Sequence, residues 1–246
     1  MMVRRAVLAF AAIAIVAAFG ASAQNVPDYA AIIAAPDRRD TDRDIDKRRD
    51  PVKLLAFTGA RPGMKVLDMG AGGGYSTELM ARAVAPNGTV YAQNMPNLFQ
   101  KAKANFDARM QTPAMKSVTP LFQPFDDPTP PEVRDLDLIT FFFFYHDVTY
   151  MEVDRAAMNK KLFSALKPGA VLVIADHAAA AGAGTSVGKT LHRIEEAALR
   201  REVEAAGFKL IGEADFLRRP GDARDFSSTR PTGPVDEFVL KFQRPN

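Results

Sequence analysis

The chain contains no cysteine among its 246 residues. Disulfides and thiolate chemistry are therefore excluded, and so is a lipid-modified cysteine at an export cleavage site. The absence suits an oxidising compartment, where a stray thiol is a liability. No basic stretch rich in aromatic residues is present either, so we predict no nucleic-acid partner.

The first residues have the pattern of an export signal. Arg4 and Arg5 precede an apolar run, and Ala-Ser-Ala at 21–23 supplies a small-x-small cleavage site before Gln24. We predict a signal peptide at residues 1–23 and a periplasmic or secreted mature protein without a membrane span. The alternative is an uncleaved anchor, although the apolar run is short for one. Removing the two arginines of this segment lowers the formal net charge from +3 to +1.

Residues 24–60 are predicted to form a helical cap. Between residues 37 and 50 acidic and basic side chains alternate, with pairs such as Asp44 and Arg48 at i,i+4 spacing. This segment fits either a solvated helix or a lid over a cofactor. Pro51 then opens a short apolar helix that ends at Gly59.

Residues 61–246 alternate short apolar runs with amphipathic stretches, the pattern of a parallel sheet covered by helices. The predicted strands are Lys65–Asp68, Thr89–Gln93, Ser117–Phe122, Asp137–Phe144, Val171–Ala175, Lys209–Asp215 and Asp236–Gln243. The predicted helices are Thr77–Val84, Asn97–Met110, Asp154–Leu166 and Val187–Ala206. Because no helix separates the last two strands, they are expected to be antiparallel neighbours.

A glycine-rich turn follows the first of these strands. Gly70, Gly72 and Gly74 occupy alternate positions before a helix, where the chain must turn sharply and approach a ligand closely. The helix behind the turn presents N–H groups and a positive dipole end. A dinucleotide site would need glycine or alanine where Tyr75 stands. The segment 183–190 misses the first glycine of a phosphate-binding P-loop, so a nucleoside triphosphatase is disfavoured.

Three histidines fall beyond the carboxyl ends of predicted strands, where open α/β sheets bind ligands. His146 ends the fourth strand, His177 ends the fifth, and His192 lies on the helix that follows. We predict His146 as a general base or acceptor-orienting group, with its tautomer set by Asp147. A metal site from these four residues is conceivable, but no close-spaced ligand pair supports it, so none is predicted.

The spacing acidic-x-Gly-x-Gly-x-Gly at Asp68–Gly74 resembles the first motif of class I S-adenosylmethionine methyltransferases. The turns at 61–64, 86–89 and 166–169 also look like connecting turns of that family, in the same order. The phrases Tyr-Ala-Gln-Asn at 91–94, Tyr-His-Asp at 145–147 and Leu-His-Arg-Ile at 191–194 resemble a narrower group of exported bacterial predicted methyltransferases.

The resemblance implies a Rossmann-like, seven-stranded and mostly parallel sheet with an antiparallel last strand and helices on both faces. It implies S-adenosylmethionine bound by Asp68, Gly70, Ala71, Gly72, Gly74, Asn94, Met95, Phe125 and Asp126. It places Tyr145, His146 and Asp147 near the methyl acceptor, and from their positions beyond the strand ends His177 and His192 are expected to line the same cleft. Within this set, Phe125 is expected to stack on the adenine and Asp126 to receive its amino group.

The function expected from this resemblance is methyl transfer to an unidentified, small-molecule acceptor. Asn94 departs from the family, which has Asp or Glu there to accept hydrogen bonds from the ribose hydroxyls. That departure and the export signal favour an alternative, a non-catalytic exported protein that keeps the fold and binds another ligand. A nicotinamide oxidoreductase is disfavoured by Tyr75 and Asn94.

Overall fold

The computed structural model describes residues 26–246, apart from the side chain of Phe99, and the predicted signal peptide lies outside this range. The strands are β1 Lys65–Met69, β2 Thr89–Asn94, β3 Val118–Phe122, β4 Leu136–Phe142, β5 Leu166–His177, β6 Lys209–Ala214 and β7 Glu237–Gln243. The helices are α1 Tyr29–Ala34, α2 Asp40–Arg49, α3 Pro51–Thr58, α4 Tyr75–Val84, α5 Pro96–Met110, α6 Tyr145–Val148, α7 Arg155–Ala165, α8 Gly188–Leu191 and α9 Glu196–Ala205. A short 3-10 helix, Pro113–Met115, follows α5.

The strands form one seven-stranded sheet in the order β3-β2-β1-β4-β5-β7-β6. Strands β1 to β5 pair in parallel, and β7 lies antiparallel between β5 and β6. The predicted Rossmann-like sheet and its antiparallel terminal pair are therefore confirmed. Because the strand order reverses between β1 and β4, a crevice opens beyond the carboxyl ends of these two strands.

Both faces of the sheet are buried. Side chains alternate along a strand, so Val66 and Leu138 belong to one apolar core while Leu67 and Ile139 belong to the other. Helices α1, α3 and α4 contribute to the first core, and α7 and α9 to the second. This double burial explains why the central strands read as continuous apolar runs.

The predicted fourth strand extends to Phe144, but β4 ends two residues earlier. Phe143 adopts a left-handed conformation with φ 57°, and its N–H donates to the carbonyl of Ala175 at 2.7 Å. The chain therefore turns out of the sheet and enters α6. Residues 143–147 thus lie beyond the carboxyl ends of the strands, next to the glycine turn.

The prediction of one helix over residues 187–206 is wrong. His192 has φ 51° and ψ 53°, which separates α8 from α9. The following residues lie beside the end of β5: the N–H of Ile194 donates to the carbonyl of His177 at 3.0 Å, and that of Ala179 donates to Ile194 at 2.9 Å. These bonds require extended chain, so the helix cannot continue through them.

The charged segment near the N-terminus forms helix α2, which is solvent-exposed on one side and packed against the domain on the other. Asp42 in α2 is 2% exposed, and Arg38 just before it is 4% exposed. Gly59 ends α3 in the left-handed conformation, as predicted. Within residues 26–246, no helix has the length and apolar character needed to cross a membrane.

Candidate active site

The glycine turn between β1 and α4 has the backbone that its sequence predicts. Gly70, Gly72 and Gly74 have φ values of 63°, 54° and 82°. A Cβ on Gly70 would lie 3.3 Å from the ring of Phe144, and one on Gly74 would lie 3.0 Å from Cδ of Arg109. Glycine is therefore required by both conformation and space.

Asp68 is buried and stabilises this turn, and it does not line the cavity that adjoins the turn. The carboxylate is 1% exposed and accepts hydrogen bonds from the hydroxyls of Ser76, Thr77 and Thr140 at 2.9, 2.6 and 2.8 Å. Burial raises its pKa, against the effect of these donors. Asp68 thus holds the turn to α4 and β4, rather than contacting a ligand as predicted.

Two side chains at the end of β2 accept hydrogen bonds from the glycine turn. The N–H of Gly70 donates to Oε1 of Gln93 at 3.0 Å, and the N–H of Gly72 donates to Oδ1 of Asn94 at 2.8 Å. Asn94 Oδ1 has a second lone pair, so its role as acceptor for a ribose hydroxyl stays a prediction. Its amide Nδ2 is buried and has no hydrogen-bond partner in the described structure. Asn94 is left with a free donor.

A cavity of about 430 Å³ lies against the turn. Its walls come from the turn itself, from the exit of β4 and from the inner side of α2. The lining residues include Gly70, Ala71, Gly72, Gly73, Tyr75, Phe142, Phe143, Phe144, Arg39, Asp42, Ile45 and Arg49. The volume is within the range of small-molecule sites, and the position of α2 supports the interpretation of the charged segment as a lid.

Arg49 extends from α2 into this cavity. Its guanidinium carbon lies 4.2 Å from the ring centroid of Phe143 and 5.6 Å from that of Tyr75. Burial lowers its pKa, and within residues 26–246 no carboxylate forms an ion pair with it. An unpaired guanidinium in a cavity is a binding group for an anion such as a carboxylate.

Two neighbouring arginines, in contrast, form ion pairs with α2, and one of them, Arg109, joins α2 to the rest of the domain. Arg109 of α5 donates to both oxygens of Asp42 at 2.7 and 2.9 Å, to Glu78, and to the carbonyl of Gly73 at 3.0 Å. Arg38 forms a bidentate pair with Asp46 at 2.8 Å for both bonds. The buried Arg109–Asp42 pair thus attaches α2 to the domain next to the glycine turn.

The predicted adenine site is not formed as expected. Phe125 is 1% exposed, and its ring stacks between Phe141 and Phe144 at centroid distances of 6.0 and 5.3 Å. Its faces are therefore covered by core residues, so the stacking prediction is wrong for this arrangement. Met95 packs against the second core, and Asp126 is half-buried without lining the cavity.

Tyr145 also belongs to the core. It is 0% exposed, and its hydroxyl donates to Glu202 at 2.9 Å and accepts from Nδ2 of Asn159 at 2.8 Å. Burial raises the pKa of this phenol, with Glu202 acting in the same direction. Tyr145 ties α6 to α7 and α9, which corrects its prediction as a residue that meets the acceptor.

The three histidines converge, as their positions along the chain predict. The ring of His146 lies 5.4 Å from that of His177 and 5.6 Å from that of His192. Nδ1 of His146 is 2.6 Å from Oδ1 of Asp176, and Nε2 is 3.2 Å from Oδ1 of Asp147. Burial alone would lower the pKa of His146, but the two carboxylates outweigh it and raise the pKa to about 10.

His146 is consequently an imidazolium at neutral pH when these two carboxylates are its partners. An imidazolium has no lone pair with which to accept a proton, so these partners disfavour His146 as a general base, while its predicted role as an acceptor-orienting group stays a prediction. Asp147, predicted to set its tautomer, contacts His146 and also places the same Oδ1 2.8 Å from Nδ1 of His192.

His177 is the histidine that lines a second cavity. This cavity has a volume of about 290 Å³ and is also lined by Lys47, Arg48, Arg219 and Glu237. Nδ1 of His177 lies 2.9 Å from Oε1 of Glu237, in ion-pair range but not aligned for a hydrogen bond. The ring of Phe143 separates the two cavities, since its centroid is 5.3 Å from that of His177.

Sequence analysis missed two residues of this region. Arg49 is one of many charges in its segment, and only the packing of α2 shows that it lacks a partner. Glu237 begins the last strand, and the antiparallel pairing of β5 with β7 places it opposite His177. The register of the β5–β7 strand pair, and not a sequence motif, could have identified Glu237.

Comparison with known proteins gives one family and several relatives. A family model described as a methyltransferase domain matches residues 41–213. A protein-L-isoaspartate O-methyltransferase of Aeropyrum pernix is 43% identical over 56 residues, a stretch that spans 22% of this chain and 22% of that protein.

Solved structures with the same fold include an S-adenosylmethionine-dependent methyltransferase of Aquifex aeolicus, with a TM-score of 0.60, 20% identity, and coverage of 88% of this chain and 98% of that one. The glycopeptide N-methyltransferase MtfA with sinefungin has a TM-score of 0.57 at 14% identity, covering 81% and 87% of the two chains. The cyclase SpnF has a TM-score of 0.59 at 14% identity, covering 80% and 81%. At such low identity these likenesses show the fold alone.

Proposed function

The chain belongs to the methyltransferase domain family, and we propose that it transfers the methyl group of S-adenosylmethionine to a small-molecule acceptor. The observation that carries the proposal is the cavity beside the glycine turn, in which Arg49 is an unpaired cation. When bound, S-adenosylmethionine supplies a methyl group on a positively charged sulfur, which a nucleophile can displace.

The residues around the turn fit this cofactor. Arg49 would pair with the carboxylate of its methionine part, because a guanidinium binds carboxylates with charge-assisted hydrogen bonds. The buried Nδ2 of Asn94, which has no partner among the described residues, would donate to a ribose oxygen. Because Gly70 and Gly72 lack a Cβ, they leave room for the cofactor in the cavity that they line, and α2 would exclude water from that cavity.

The second cavity is the proposed entry for the acceptor. It adjoins the first across Phe143, and its cationic residues Lys47, Arg48 and Arg219 favour an acceptor that carries negative charge. His177 would take the proton that a hydroxyl or ammonium acceptor loses, with Glu237 orienting its ring. The main contribution of the protein would be alignment of the two reactants.

Calorimetric titration of S-adenosylmethionine and S-adenosylhomocysteine into the folded chain tests the cofactor assignment. Hydrogen bonds to charged groups contribute about 1.5–3 kcal/mol, so Arg49→Met is expected to weaken binding roughly 10-fold to 150-fold. Arg48→Met is the matched control on the same helix turn, since Arg48 lines the acceptor cavity and should leave cofactor affinity within about 2-fold. The assignment is wrong if the folded wild-type chain binds neither compound, or if both variants bind equally well.

We further propose that the protein acts outside the cytoplasm and belongs to the narrower group of exported methyltransferases. The support is the sequence of residues 1–23 and the lack of cysteine. Cell fractionation followed by N-terminal sequencing should find a periplasmic or secreted chain that begins at Gln24. A chain that retains Arg4 and Arg5 and stays in the cytoplasm contradicts this proposal.

A second candidate is a non-catalytic exported protein that binds a ligand in the same fold. The engagement of Tyr145 and His146 in buried contacts favours it, because two residues expected at the acceptor are held elsewhere. The likeness to a cyclase also shows a methyltransferase-like fold in a protein named for other chemistry. Release of S-adenosylhomocysteine during incubation with pooled phenols, amines and carboxylic acids separates the two. Tight cofactor binding without any release supports the second candidate.

A further inference from the structure

The structure brings together two imidazoles and a carboxylate that the sequence keeps apart. His146 and Asp147 lie on α6, and His192 lies between α8 and α9, 45 residues beyond Asp147. One ligand atom from each residue falls within 4.8 Å of the others. We propose that His146 Nε2, Asp147 and His192 Nδ1 bind one divalent transition-metal ion, a site that goes beyond the proposed methyl transfer.

The separations between the ligand atoms suit one ion. Two ligands about 2.1 Å from a zinc ion, at tetrahedral or right angles to each other, lie about 3.0–3.4 Å apart. Oδ1 of Asp147 is 3.2 Å from Nε2 of His146 and 2.8 Å from Nδ1 of His192. The two nitrogens lie within 4.8 Å of each other, so both carboxylate–imidazole separations already fit one ion and only the two rings have to approach each other. The ion would displace the proton that His146 Nε2 otherwise carries.

A buried carboxylate sets the ring of His146. Asp176 is 0% exposed, and its Oδ1 lies 2.6 Å from Nδ1 of His146. The backbone N–H groups of His146 and His177 donate to the two oxygens of Asp176 at 2.8 Å each. Metal-binding histidines commonly donate their other ring nitrogen to such a carboxylate, which fixes the tautomer and directs the free nitrogen at the ion.

His192 is held in place by backbone that would otherwise be unfavourable. Its left-handed conformation, with φ 51°, is unfavourable for a residue other than glycine. The hydroxyl of Ser228 donates to its carbonyl at 2.8 Å. The next residue, Arg193, is fully buried and donates to Asp222 at 2.7 Å and to the carbonyl of Ala178 at 2.9 Å. These contacts direct the His192 ring at Asp147.

Three protein ligands leave coordination positions for water or for another small ligand, as in catalytic zinc sites. The side chains of Asp147 and His192 are 16% and 27% exposed, so solvent reaches them. The ring of His146 is 5.4 Å from that of His177, which places the ion at the border of the proposed acceptor cavity.

Metal binding can be assigned to individual residues, because the chain has three histidines and no cysteine. The full chain, purified without a histidine tag, is stripped with chelator, dialysed against Zn²⁺ and analysed by inductively coupled plasma mass spectrometry. Co²⁺ is then added as a spectroscopic probe, since bound Co²⁺ absorbs visible light. We expect one equivalent of Zn²⁺ and a Co²⁺ spectrum in the wild type, and neither in His192→Ala.

Two further variants keep the test decisive. His177→Ala is the matched control, and it should retain the metal because it removes the histidine that is not a ligand. Asp176→Asn should weaken Zn²⁺ binding about 10-fold to 100-fold through loss of the orientation of the His146 ring.

Circular dichroism tests whether each variant is folded, and Asp147→Asn replaces His192→Ala if the latter is not. The proposal is overturned if the wild type takes up no stoichiometric metal, if His192→Ala binds as tightly as the wild type, or if His177→Ala loses the ion. None of these readouts depends on methyl transfer.

Discussion

Arg109→Met removes the cation that joins the α2 lid to the rest of the domain. Arg109 pairs with Asp42 on α2 and Glu78 on α4, and it donates to the carbonyl of Gly73 in the glycine turn. The side chains of the three charged residues are 3–5% exposed. Methionine keeps most of the apolar stem, so the main change is the loss of charge.

The expected loss in the free energy of unfolding comes from the buried carboxylate that remains when Arg109 is removed. Without Arg109, the buried carboxylate of Asp42 has no ion-pair partner among the described residues, whereas Glu78 keeps Arg82. Breaking a buried ion pair in this way costs about 3–5 kcal/mol. Folded domains are stable by about 5–15 kcal/mol in total, so the loss is a large share. With a urea dependence of about 2–3 kcal/mol per molar, the unfolding midpoint should fall by roughly 1–3 M. Urea titration followed by circular dichroism measures this shift.

The matched control is Lys103→Met on the same helix. Lys103 pairs with Asp107 at i,i+4, and both side chains are about half exposed, so the cost should stay below about 0.5 kcal/mol. If uncompensated charge is the cause, adding Asp42→Asn and Glu78→Gln to Arg109→Met should recover part of the loss. A decrease below about 1 kcal/mol for Arg109→Met alone would refute the reasoning.

Further substitutions test the turn and the lid. Gly74→Ala should lower stability by about 1–3 kcal/mol, because Gly74 has φ 82° and a Cβ would meet Arg109 at 3.0 Å. Gly73→Ala, whose Cβ would find only an ordinary contact at 3.5 Å, should cost far less, and equal thermal midpoints for the two would contradict this account. Burial disfavours ionised Asp46, but Arg38 and Tyr75 outweigh burial and lower its pKa. Its contribution is therefore present above the unfolded value of 3.8 and is lost as pH falls through the folded pKa. The difference in thermal midpoint between wild type and Asp46→Asn should shrink between pH 6 and about pH 3, and a constant difference argues against a role for this carboxylate.

Much of the fold could be predicted because it depends on local patterns. The strand from Lys65, the alternating glycines and the helix-free gap before the last strand each have a signal within a few residues. The errors occur where tertiary contacts override such signals. The helix predicted over 187–206 breaks at His192 because the next residues bond to the end of β5. Phe125 reads as a ligand-stacking residue, but neighbouring rings cover it.

The sequence by itself determined the scaffold, since glycine at positions 70, 72 and 74 permits backbone that other residues adopt at a cost, and apolar runs of strand length form a sheet buried on both faces. Only the tertiary structure decided the roles of the polar residues. Whether Arg49 is paired, which polar atom of Asn94 lacks a partner, and whether His146 carries a proton all depend on atoms that lie far apart along the chain. Burial and charge pairing are properties of the packed molecule, and they set hydrogen-bonding capacity and pKa where no motif can.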